Sequence, residues 1–255
     1  MNRLMTILIL LAALSSPVLP QDKSFIILGD LHFDRMELHD WQWLRETMPK
    51  DTSQIINYSK IMKANFRDLI SELAARTRTT VPAVRGIIQL GDFQEGLAGS
   101  EALALQMARE TLDSLRTAEF LPPWIITKGN HDITGPGAAS AYQSVVIPFI
   151  QTELGQPVKT AYYSYRVDDV QIFVMDSYDL GPMMAYLDTA LANSTAKYKI
   201  MTTHMPVIPV TARLWHLYEQ DDAQRAVLLN LLARYKVLVL AGHLHKYSLD
   251  RKSVV

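Results

Sequence analysis

The sequence has no cysteine. That excludes disulfides, thiolate metal sites, a cysteine nucleophile and a lipidated cysteine near the N-terminus, so any metal must be held by histidine, carboxylate or amide. Net charge is almost missing as well, with 25 basic residues against 26 acidic ones and a formal balance of -1. Such a chain carries no electrostatic footprint for nucleic acid and no acidic tail. There is no internal repeat, no low-complexity stretch and no clear linker, so one α/β domain is the simpler choice for 255 residues. The apolar run Leu4 to Leu14 is too short to span a bilayer, which takes about 20 residues. Preceded by Arg3 and closed by Ser15-Ser16-Pro17, it reads as a signal peptide over residues 1–20. Export to the periplasm or medium after cleavage is the expectation, with an uncleaved N-terminal anchor as the alternative. The mature domain is then 21–255.

What is present is an alternation of apolar runs and amphipathic stretches. Ser24 to Leu28 and Val84 to Leu90 read as strands, the first buried on both faces. Trp124-Ile125-Ile126 reads as a third. Helical spacing runs from Thr52 to about Thr77, from Ser100 to Arg116, and from Ala138 to Glu153, the last expected to bend at Pro148. Ala161 to Val167 and Val170 to Asp176 then form a hairpin around Asp168-Asp169, which suggests a second sheet stacked on the first. A helix at Met183 to Asn193, a strand at Lys197 to Thr202, a helix at Asp221 to Arg234 and a strand at Val237 to Leu240 complete the order. Phe33 to Asp51 has no clear period; its Trp41 and Trp43 either line a cleft, as do Trp215 and His216 in that reading, or pack on the body of the domain.

The strand ends carry the chemistry. Asp30-Leu31-His32 follows the first strand, and two residues at that spacing on extended backbone point the same way. Gly91-Asp92 follows the second strand and Gly129-Asn130-His131-Asp132 the third, where a glycine would give the turn freedom of backbone angle. His204 follows a later strand and Gly242-His243-Leu244-His245 the last. Five of the seven histidines thus sit at strand ends, where the loops of an alternating α/β chain converge. Five unrelated polar turns would not all choose metal-binding side chains.

In this order the motifs resemble those of the calcineurin-like metallophosphoesterases, over nearly the whole exported chain. The resemblance implies a four-layer α/β/β/α sandwich with two stacked mixed sheets. It also implies two metal ions, one held by Asp30, His32 and His245 and the other by Asn130, His204 and His243, with Asp92 bridging. Imidazole and carboxylate suit divalent or trivalent Mn, Fe, Zn, Co or Ni, and such a pair supplies a bridging hydroxide near neutral pH. His131, a non-ligand in the family, would assist the leaving group, with Asp132 orienting it. Glu95 stands where purple acid phosphatases carry a metal-binding tyrosine, which together with Asp-x-His points away from that subgroup. Relatives commonly continue past Gly-His-x-His with further strands, so a C-terminally truncated second sheet is among the expectations.

The resulting reading is an exported dinuclear phosphoesterase acting on phosphate mono- or diesters. A nuclease, a phospholipid-headgroup hydrolase and a catalytically silent metal-dependent binder of the same fold are the alternatives.

Overall fold

The computed structural model describes residues 22–120, 122–210 and 215–245. The 1–20 segment and residues 246–255, on which a signal peptide and a further strand were expected, lie outside them. Two sheets form the centre. The first has β1 (Ser24–Leu28), β2 (Val84–Gln89) and β3 (Trp124–Ile126) in that spatial order, all parallel. The second has β4 (Tyr163–Val167), β5 (Val170–Val174), β6 (Tyr198–Thr203) and β7 (Leu238–Ala241), antiparallel between β4 and β5 and parallel thereafter. Among the described residues only the second sheet is therefore mixed. Val167 pairs with Val170, which leaves Asp168-Asp169 as the two-residue turn.

Residue alternation on β5 shows how the layers stack. Ile172 and Val174 face the large core shared with Ile87, Ile88, Ile125 and Ile126 of the first sheet. Phe173 and Met175 point the other way, into a second core with Met183, Leu187 and Leu191 of α6 (Leu180–Ala192) and Leu228, Leu231 and Leu232 of α7 (Asp222–Arg234). The first sheet is covered by α2 (Thr52–Thr79) and α3 (Glu101–Leu115), whose Phe66, Ile70, Leu73, Met107 and Leu112 join the large core. This is the α/β/β/α sandwich. The sheets are also stitched directly: Tyr163 Oη donates to Ile126 O at 2.9 Å and accepts from Ile126 N at 3.1 Å, while Thr127 Oγ1 donates to Thr202 Oγ1 at 2.9 Å.

Three local expectations change. β1 is an edge strand with Ile27 49% exposed, so it is not buried on both faces. The stretch after Phe33 is ordered into a short helix, α1 (Trp41–Thr47), because the Asp40 carboxylate accepts from Gln42 N and Trp43 N. Trp41 and Trp43 pack there against Leu44, Ile55 and Leu97, on the body of the domain. The helix expected from Ala138 to Glu153 is α4 (Ala138–Ala141), π-helical turns at Tyr142–Val146, and α5 (Ile147–Leu154). Pro148 falls in the first turn of α5, directly after the π-helical turns, so the run loses its α-helical regularity beside the proline as expected.

Candidate metal centre

The loops after β1, β2, β3, β6 and β7 meet at one point. Asp30, His32, Asp92 and His245 each present a ligand atom within 4.8 Å of the others, and so do Asp92, His204 and His243. Asp92 belongs to both groups. His32 Nε2 faces His245 Nε2 at 3.2 Å, and His243 Nδ1 faces His204 Nε2 at 3.1 Å. Bare imidazole nitrogens gain little by pointing at one another. Two nitrogens bound to one cation at about 2.0–2.1 Å stand about 2.9–3.4 Å apart, so both pairs fit a shared ion. Carboxylate oxygens complete the sets: Asp30 Oδ2 lies 2.9 Å from His245 Nε2, and Asp92 Oδ2 lies 3.2 Å from His204 Nε2 and 3.8 Å from His32 Nε2. Asn130 Oδ1 is 3.1 Å from His204 Nε2. All seven residues expected to hold metal are thus brought together.

The backbone is bent to achieve this. His32, Asp92, His243 and His245 have φ of 47°, 51°, 71° and 50°, the left-handed region that side chains disfavour. Asp30 and His32 therefore converge through a left-handed turn and not through extended backbone. Gly129 is needed for a different reason than the one expected. Its φ is not in the left-handed region, but a Cβ there would sit 2.1 Å from Asp92 N and Oδ1. Gly91 combines both demands, with φ of 97° and a Cβ position 2.3 Å from His204 Nδ1.

Hydrogen bonds behind the cluster aim each nitrogen. His204 Nδ1 donates to Leu90 O at 2.9 Å, which aims Nε2 at Asp92. His32 Nδ1 donates to Glu95 Oε2 at 2.6 Å and presents Nε2 to the centre. The His131 N–H donates to Asp92 Oδ1 at 2.8 Å and so turns Oδ2 toward the histidines. For Asp92 burial pushes the carboxyl up, but the hydrogen bond and charge of His204, with His131 and His32, outweigh it and hold it at about 2. His204 moves above its usual value because Asp92 overcomes the effect of burial. His243 moves below, through burial and the neighbouring His204.

Asp132 does not touch the His131 ring. Its Oδ1 accepts from Phe93 N at 3.0 Å and Gln94 N at 3.1 Å, and its Oδ2 accepts from Gly129 N at 2.7 Å. It is a buried clamp between the loops after β2 and β3, and burial together with the Asp92 carboxylate pushes it up to about 7. The group that holds His131 is Glu95: His131 Nδ1 donates to Glu95 O at 2.8 Å, and Glu95 Oε2 lies 3.6 Å away. Glu95 is fully buried, and Gln54 of α2 donates to its Oε1 at 3.2 Å. Tyr58, one turn further along α2, stacks on His32 with ring centres 4.6 Å apart. Neither α2 residue was marked by any motif; their only sequence signal is one-turn spacing on the helix face toward the β1 loop. Trp215 stands at the cluster, its ring centre 5.4 Å from that of His243. His216 is buried beside Arg225, whose Nη1 donates to the ring at 3.0 Å.

A four-layer sandwich gathers at its strand ends clusters of side chains that could hold cations. The profile of the calcineurin-like phosphoesterases matches residues 23–247, and the chain belongs to that family. Its members are phosphoester hydrolases that typically depend on two metals, and the His/Asp/Glu groups described above could hold such ions. No curated protein matches the chain. Among solved structures, that of PhoD aligns at a TM-score of 0.50 and 13% identity over 88% of this chain, a likeness of fold. The chain spans 51% of the length of that structure.

Proposed function

We propose that this protein is an exported dinuclear-metal phosphoesterase that hydrolyses phosphate mono- or diesters. The observation that carries this reading is the sharing of Asp92 between two groups of convergent ligand atoms. In it, Asp30, His32 and His245 would hold one ion and Asn130, His204 and His243 the other, with Asp92 available to both. Bound cations of this kind acidify water and neutralise phosphoryl oxygens as negative charge develops on them.

The remaining work falls to His131. Its Nδ1–H is committed to the Glu95 carbonyl, so Nε2 is the atom that carries a proton to the departing ester oxygen. The Glu95 carboxylate stands beside that ring and at the same time fixes His32, so one buried side chain positions both the ligand and the acid. Asp132 keeps the two loops in register and acts on the proton only through that placement. An intact His131–Glu95 arrangement argues against a silent binder, which has no use for it, and the near-neutral charge argues against a nuclease.

Metal analysis of the purified protein, followed by hydrolysis of bis(p-nitrophenyl) phosphate against p-nitrophenyl phosphate, tests the proposal and separates diesterase from monoesterase. His131→Ala should retain both metals and lose about 10²–10⁴ in turnover of esters with poor leaving groups. Full activity of that variant on such an ester removes His131 from the mechanism. Export rests on the 1–20 segment, and fractionation of cells expressing the full chain checks it.

A further inference from the structure

A cavity of about 300 Å³ lies beside the metal centre. Lys128 and Ile133 stand on its wall, and between them in sequence come Asn130 and His131 of the centre. Tyr142 and Gln143, which open the π-helical turns, line it as well, as do Tyr162 and the carboxylates of Asp176 and Asp179 that follow β5. Turns of that wider kind are common at functional sites.

Two of these groups have polar capacity that the fold leaves unused. Tyr142 is 3% exposed, and among the described residues its hydroxyl has no hydrogen-bond partner. A buried hydroxyl without a partner weakens the fold, so such groups are rare in native proteins. Asp179 stands at the N-cap of α6, yet its carboxylate accepts no backbone N–H there, whereas Asp40, Ser100 and Asp221 each cap their helices through the side chain. Lys128 and Asp176 pair with each other, so Asp179 gives the lining its net negative charge. Gln143 Nε2 donates to Lys159 O at 3.1 Å, which leaves the amide oxygen as a further acceptor. Acceptors, one negative charge, two tyrosine rings and the apolar Ile133 side chain suit a ligand with N–H donors, a positive charge and a short apolar stem. An anion would meet the Asp179 charge. The volume lies at the small end of the range for ligand sites, so that stem has only a few carbons.

We propose that this cavity binds a small primary ammonium compound, its N–H groups shared between the Asp179 carboxylate and the Tyr142 hydroxyl oxygen and its stem against Ile133 and the tyrosine rings. The ammonium is either the far end of the ester's own alcohol or a free amine held beside the segment that carries Asn130 and His131. The binding site stands without the phosphoesterase reading; only its assignment to the ester's alcohol rests on that reading.

Calorimetric titration of the metal-loaded protein near neutral pH with propylammonium chloride and with propan-1-ol compares a cation with a neutral molecule of the same length. Propylammonium should bind about tenfold more tightly. Asp179→Asn keeps the shape, removes the charge and should bring that ratio close to one. Tyr142→Phe should bind propylammonium about threefold more weakly while melting no lower than wild type, because it deletes a hydroxyl that the ligand-free protein leaves unpartnered. A hydroxyl that serves only the fold would do the reverse, lowering Tm with affinity unchanged. Two esters separate the sources. A higher kcat/KM for 3-aminopropyl phosphate than for propyl phosphate, abolished in Asp179→Asn, makes the ammonium part of the ester; equal rates with propylammonium still bound make it a separate amine. A wild-type affinity ratio near one, or a ratio untouched by both substitutions, overturns this inference. Hydrolysis of no ester overturns the phosphoesterase reading instead, and the calorimetric ratio still decides this one.

Discussion

The loops that leave the first sheet are fastened to one another, whereas among the described residues the backbone of the loop after β7 is tied to other loops only at Gly242 and His243. On the first side, His32 N and Phe33 N donate to the carbonyls of Asp92 and Phe93, Glu95 N returns to Phe33 O, and Asp132 accepts three backbone N–H groups across the loops after β2 and β3. Residues 91–98 are buried throughout. After β7, Gly242 N donates to His204 O at 3.0 Å and His243 N to the Asp30 carboxylate at 3.0 Å and 3.1 Å, while the His245 side chain is 48% exposed. One half of the centre is built into the fold. The other is held by fewer backbone bonds, and in the proposed reading bound cations would add to what fixes its histidines.

The largest effect should come from the residue common to both ligand groups. Asp92→Asn removes the charge of the bridge and leaves two facing imidazole pairs without their shared anion, so metal analysis should show loss of ions from both groups. Hydrolysis of bis(p-nitrophenyl) phosphate should fall by at least about 10³-fold. Next comes the clamp on the well-fastened side. Asp132→Asn puts an N–H₂ group against a backbone N–H and should cost about 1–3 kcal/mol in a denaturant titration, with metal content unchanged. A large loss of turnover without any loss of stability would return Asp132 to the proton path.

Removing metal should then separate the halves. Under chelation, amide exchange over residues 242–245 should quicken by about tenfold or more, and that over residues 91–95 by much less. Equal acceleration on both sides would erase the distinction. The smallest effect is on pH. In metal-free protein Asp92, held at about 2 against an ordinary 3.8, contributes stability that is present above about pH 4 and lost as pH falls toward 2. His204, raised from 6.5, contributes stability that is full below 6.5 and lost as pH rises through its higher folded value. The pair therefore supports the fold best between about pH 4 and 6.5, and Asp92→Asn should flatten both flanks in thermal melts.

Every ligand expected from Asp30, His32, Asp92, Asn130, His204, His243 and His245 joins the centre, because each ends a strand or follows one and strand ends are marked by local pattern. Glu95 was visible but its contacts were not: whether a carboxylate three residues past Asp92 reaches His32 and His131 depends on the left-handed turn at Asp92, which no side-chain pattern encodes. The same limit hid the true partners of Asp132, since acceptance by Phe93, Gln94 and Gly129 is decided by how two loops dock. Tyr58 and Gln54 arrive from a helix whose period announces only a core-facing stripe. Trp41 and Trp215 look alike in sequence, and only the surrounding fold separates a packed ring from one at the rim.

Asp30 and His243 are 213 positions apart, yet the carboxylate of one receives the N–H of the other. A ribosome making this protein must therefore release nearly the entire domain before the pocket for cations can close. Until then the emerging segment carries Asp30, His32 and Asp92 with half their companions still unsynthesised, and in the proposed reading capture of metal would belong to the last act of maturation.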